Sequence, residues 1–87
     1  MEQVTATILD SAGAVLLVEV TAFVQETPWG NWDGYFFAPD ATRITLGERC
    51  HLNTNDGRSG DILVTGKADT QPNEQRVTFQ ANDLSET

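Results

Sequence analysis

One cysteine, one histidine and five basic residues in 87 positions exclude most of the chemistry that a small domain can carry. A lone Cys50 cannot close an internal disulfide, so the fold rests on its core. With one thiol and one imidazole the chain is too poor in ligands for a zinc site of its own. Nucleophilic catalysis needs a nucleophile, a base and an orienting group within mutual reach. Cys50 and His51 are adjacent in a stretch of strand-like alternation, where neighbouring side chains point to opposite faces. They form no dyad, and the pattern reads as a small buried cysteine beside a surface histidine. Ser59 sits in Gly57-Arg58-Ser59-Gly60, which lacks the spacing of a nucleophile elbow, and is a turn serine. No catalytic residue is expected, and the chain is read as a non-enzyme.

Positive charge is equally scarce: thirteen acidic residues against five basic ones leave a net charge of -8. That balance opposes phosphate backbones and anionic membrane surfaces, so neither nucleic acid nor membrane is expected as a direct partner. Long apolar runs are missing too, the longest being Ala14 to Val18, far short of a bilayer span. Met1 leads through polar Glu2 and Gln3 into a strand-like run without a signal-peptide pattern, which points to the cytoplasm. Asn53, Asn55 and Asp56 before Gly57 look like part of a calcium loop, but the glycine comes one position early and the closing bidentate glutamate is missing. No metal and no cofactor is expected.

The remaining residues alternate with a period of two. Val4 to Leu9, Ala14 to Gln25, Tyr35 to Ala38, Glu48 to Thr54, Asp61 to Thr65 and Arg76 to Ala81 each read as a strand. Asp10 to Gly13 and Asn55 to Gly60 carry turn chemistry between them. In the second strand Leu16, Val18, Val20, Ala22 and Val24 fall on one face, and Glu19, Thr21 and Gln25 alternate with Val15, Leu17 and Phe23 on the other, the pattern of a central strand whose second side is partly covered. Pro39 ends the third strand. Ile44 and Leu46 are expected to tuck inward from a connector spanning Asp40 to Gly47. Gly66 to Asn73 reads as a polar loop, and Asn82 to Thr87 as one turn packed by Leu84. Residues 1–87 are thus predicted to form one all-β domain. At this length a small antiparallel barrel of five to six strands needs less material than a sandwich and leaves no exposed edges.

The run LGERCHLNTNDGRSGDILVTG, from Leu46 to Gly66, with Val77-Thr78-Phe79 near the end, resembles small bacterial SH3-like or split β-barrels. In these a strand reaches a DGR-type hairpin and returns as an alternating strand. The resemblance covers the C-terminal half and implies a fold, not an activity. PilZ domains, which bind a cyclic dinucleotide on a similar barrel, carry a pair of arginines and an Asp-x-Ser-x-x-Gly strand. Asp56 to Gly60 has a different spacing and no arginine pair precedes it, which argues against that ligand.

Five of the seven aromatic residues fall between Thr27 and Ala38, in TPWGNWDGYFFA. Pro28, Gly30 and Gly34 make this a bent segment running into a strand. Trp29 and Trp32, three apart across a Gly-Asn bend, offer a stacking platform for a sugar, a base or a partner's side chain, with Asn31 and Asp33 as its polar rim. The structural alternative is that one tryptophan plugs the barrel end while Tyr35 and Phe37, or Phe36 alone, join the core. Trp29, held at the loop tip by Pro28 and Gly30, is expected to be the exposed member of the pair, and Trp32, which leads directly into the strand, the buried one. Trp29, Asn31, Trp32, Asp33 and Tyr35 are the candidate binding residues, in a module whose partner is another protein or a small ligand. The reading from a different class is an acidic, phage-type inhibitor that occupies a nucleic-acid-binding or enzymatic partner. Such a mimic needs carboxylates at phosphate-like spacing along one surface, whereas Asp10, Glu26, Asp56 and Asp69 are scattered over turns and strand ends.

Overall fold

Alternation of β-branched and apolar residues with polar ones turns most of the chain into strand. The computed structural model describes residues 1–39, 42–82 and 85–86. Its strands are β1 (Glu2–Asp10), β2 (Val15–Glu26), β3 (Trp32–Pro39), β4 (Arg49–Thr54), β5 (Arg58–Gln71), β6 (Glu74–Ala81) and the short β7 (Ser85–Glu86). Pairing runs from β4 to β1, β2, β3, β6 and β5, and β5 pairs back to β4. Every pair is antiparallel, so six strands close into a small all-β barrel, and β7 adds to β5 beside Arg58 and Ser59. This is the architecture of a small SH3-like or split barrel.

The inward positions form one apolar core, to which β1 gives Val4, Ala6 and Ile8, and β2 gives Val20, Ala22 and Val24. Phe36 from β3 and Phe79 from β6 are its largest members, with ring centroids 6.0 Å apart. Burying each of these rings contributes about 1.5–3 kcal/mol. Gly34 also faces inward, opposite Phe79. A Cβ there would lie 1.9 Å from the Phe23 carbonyl oxygen and 3.1 Å from the Phe79 ring, so the closeness of β2 and β3 requires glycine at this point.

Four expectations from the sequence change in the fold. In β2 the apolar series does not share one face: Ala6 pairs with Val20 but Ile8 with Leu17, so Val18 and Glu19 bulge opposite Thr7. Glu19 takes a left-handed φ of 52° at this bulge, which shifts the alternation by one residue. Leu17 packs against the core, while Val18 is 64% exposed. In the connector, Ile44 is buried as expected but Leu46 is 59% exposed. Leu46 occupies the tip of a tight turn, in which the Glu48 amide donates to the Thr45 carbonyl at 3.0 Å and Gly47 to Val64 at 2.8 Å. Two side chains tie this connector to the barrel. Gln75 Nε2 donates to the carbonyls of Pro39 and Thr42 at 3.2 and 3.1 Å, and Lys67 Nζ donates to that of Ile44.

The third change is that Gly66 to Gln71 is not a loop but the continuation of β5, paired with β6 up to Gln71 and Glu74. Only Pro72 and Asn73 turn, Asn73 at φ 67°, as proline then a left-handed residue favour in a type II turn. Backbone pairing with β6 makes this segment a strand, because its polar side chains give no pattern to read. Finally, Ser85 and Glu86 form β7 where a turn was expected; Leu84 lies outside the described residues.

Candidate functional site

Three hairpin loops of the barrel share one design. In Asp10-Ser11-Ala12-Gly13, Thr27-Pro28-Trp29-Gly30 and Thr54-Asn55-Asp56-Gly57, the glycine amide donates to the carbonyl of the first residue at 3.0, 3.1 and 3.2 Å. Each glycine has positive φ, 88°, 86° and 96° in turn, completing a three-residue hairpin. Asp10 strengthens its loop by accepting from the amides of Ala12 and Ala14, both at 2.9 Å. The equivalent central positions hold Ala12, Trp29 and Asp56. Turn geometry asks for nothing large there, yet the loop from β2 to β3 carries an indole that is 84% exposed. Pro28 fixes the backbone before it, and the Thr27 hydroxyl accepts from the Trp29 amide at 3.3 Å.

Trp32 has a different situation. It belongs to the inward-facing series of β3 and packs, half-buried, against the core at the barrel mouth. The Arg58 guanidinium carbon lies 5.6 Å from its ring centroid, a cation–π arrangement. Arg58, with only 13% of its side chain exposed, is held by Asp56 and Glu2 at Nη2 distances of 2.7 and 3.0 Å. A second bond from Nε reaches Asp56 Oδ1 at 3.3 Å. Hydrogen bonds from Arg58, with a further one from the Thr54 hydroxyl, hold the Asp56 carboxyl down at about 2. The hairpin after β4 thereby braces the tryptophan at the mouth.

Trp29 and Trp32 line one cleft of about 240 Å³, together with Thr27, Asn31, Asp33, Gln80, Ala81 and Asn82. Tyr35 does not line it. Its side chain faces outward, stacked on Phe23 at 5.0 Å and set edge-on to Phe37 at 5.7 Å, with Arg76 5.7 Å from its ring. Of the two structural alternatives for these rings, Phe36 alone joins the core. Tyr35 borders a second groove of about 270 Å³, whose wall also includes Thr65, Thr78, Asp33 and Gln80. Asp33 and Gln80 are direct partners across β3 and β6 and border both hollows. The five residues singled out in the sequence therefore sit along two adjoining hollows. Gln80, Asn82 and Arg58 are additions that depend on strand pairing, and nothing local in the sequence marks them.

Cys50 is buried and His51 half-exposed on the other side of β4. His51 Nδ1 lies 3.0 Å from Asp61 Oδ1 across the β4–β5 pair. Burial, helped by the charges of Glu48 and Asp10, pushes the Cys50 thiol up to about 11, which keeps it protonated at neutral pH. Among the described residues no group of three or more His, Cys, Asp or Glu side chains could hold a metal ion, and no helix is long and apolar enough to cross a membrane. Compared with known proteins, the chain matches no family model, no curated protein and no solved structure.

Proposed function

We propose that this barrel is a non-enzymatic binding module, working in the cytoplasm, that takes a small ligand or an exposed group of a partner protein at the Trp29–Trp32 cleft. The observation that carries this reading is Trp29, an indole 84% exposed at a loop position where the two sister hairpins hold Ala12 and Asp56. An exposed tryptophan on a rigid turn adds little to stability and presents a large face at low entropic cost, which suits recognition. Nucleic acid is disfavoured as a direct partner by the net charge of -8. That same charge supports a second reading, in which the protein occupies a basic, nucleic-acid-binding or enzymatic partner as an acidic inhibitor.

Tryptophan emission tests both. Titration with neutral oligosaccharides, quaternary ammonium salts, short peptides and a basic DNA-binding protein should give a saturable change with a member of the first three classes, lost in Trp29→Ala. A response to the basic protein alone, persisting in Trp29→Ala and collapsing with added salt, would favour the inhibitor. Silence throughout would remove the binding module.

A further inference from the structure

We infer that the two adjoining hollows bind a neutral saccharide chain, one ring against the indole of Trp29 and the next extending past Asp33 and Gln80 toward Tyr35. This rests on the binding-module reading and adds the class of ligand to it.

The lining chemistry selects that class. Neither hollow has a lysine or arginine in its wall, and the whole molecule carries a net charge of -8. Nucleotides, sugar phosphates and acidic sugars would meet an unfavourable overall field; of the cations beside the hollows, Arg58 is already held by Asp56 and Glu2, and Arg76 lies against the Tyr35 ring outside the indole cleft. Asn31, Gln80 and Asn82 each offer a donor and an acceptor, and Thr27 adds a hydroxyl, a set that matches sugar hydroxyls, which also donate and accept. Asp33 accepts only, which suits a pair of neighbouring hydroxyls. A quaternary ammonium would use the indoles and Asp33 but leave the three amides without a role. An apolar peptide side chain would desolvate those amides without replacing their bonds with water.

Size and continuity select a chain over a single ring. At about 240 Å³ the indole cleft is smaller than a drug-sized pocket and admits one ring with its hydroxyls. The groove of about 270 Å³ beside it is bordered by another aromatic residue, Tyr35, and by the hydroxyl residues Thr65 and Thr78. Asp33 and Gln80, paired across β3 and β6, lie between the two and border both.

The test is an amide and indole NMR titration with neutral mono- and trisaccharides of glucose, xylose and N-acetylglucosamine, with tetramethylammonium chloride and an uncharged proline-rich peptide alongside. The expected result is saturable movement of the Trp29 and Trp32 indole signals by one sugar series, the trisaccharide binding about tenfold or more tighter than its monosaccharide. Trp29→Ala should abolish both, while Tyr35→Ala should remove the length advantage and leave the monosaccharide affinity in place. Binding without a length advantage would overturn the two-ring arrangement. If tetramethylammonium or the peptide moves the indole signals in a Trp29-dependent way and no saccharide does, the ligand class is wrong and the binding module stands. If none of the probes moves them, both fall.

Discussion

Arg58 joins separate parts of this barrel through one side chain. It reaches Glu2 at the start of β1, Asp56 in its own hairpin and the face of Trp32 at the mouth. Exposed ion pairs are worth little individually, but this guanidinium is mostly covered and bound to Asp56 through two nitrogens, which favours a fixed geometry. The pairing has a pH signature. Because the Asp56 carboxyl is held at about 2, below its ordinary 3.8, the stabilisation it brings is complete above the ordinary value and is lost as pH falls through about 2. Wild type should therefore melt above Asp56→Asn at neutral pH, and the gap should close between pH 3.8 and about 2. A gap constant over that range would show that Asp56 does not titrate with a lowered pKa. At this scale the sequence was readable where a residue's type decides its fate, as with buried Cys50 and half-exposed His51. Arg58 was not readable, since its three partners come from other parts of the chain or from a turn whose shape is set by pairing.

Among the elements, the hairpins were the most legible, because a glycine closing a three-residue loop is a local demand of the backbone. Strand registers were less so. The bulge at Val18 and Glu19 is invisible in a sequence whose apolar alternation continues straight through it, and only the bend needed to close a small barrel explains it. The same holds for the far half of β5, where pairing with β6 and not hydrophobic pattern sets the strand. Gly34 gives the pairing of β2 and β3 a sharp test. Gly34→Ala puts a methyl group into the Phe23 carbonyl and against the Phe79 ring, and the expected loss is about 1–3 kcal/mol or more in chemical denaturation. An unchanged midpoint would mean that the two strands sit farther apart than described. The outward rings Phe23, Tyr35 and Phe37 cover the second side of β2, which the mixed pattern of that strand had suggested and whose partners only pairing reveals.

Across the whole molecule, closing six strands into one ring consumes the apolar residues on the inside and leaves one large exposed aromatic side chain, Trp29, among the described residues. Sequence alone pointed to the stretch carrying it, since five of the seven aromatics crowd there, and put Trp29 at the exposed loop tip, but could not divide Tyr35, Phe36 and Phe37 between core and outer face. That division depends on which edge each strand pairs through. It also gives the central claim its most direct measurement: the stability of Trp29→Ala and Trp32→Ala, side by side, in chemical denaturation. Trp29→Ala should stay within about 0.5 kcal/mol of wild type, as an exposed substitution does. Trp32→Ala, which removes a half-buried ring packed on the core beneath Arg58, should lose about 2–3 kcal/mol, less than a fully buried aromatic. Equal and large losses would make both tryptophans structural and contradict a site at Trp29.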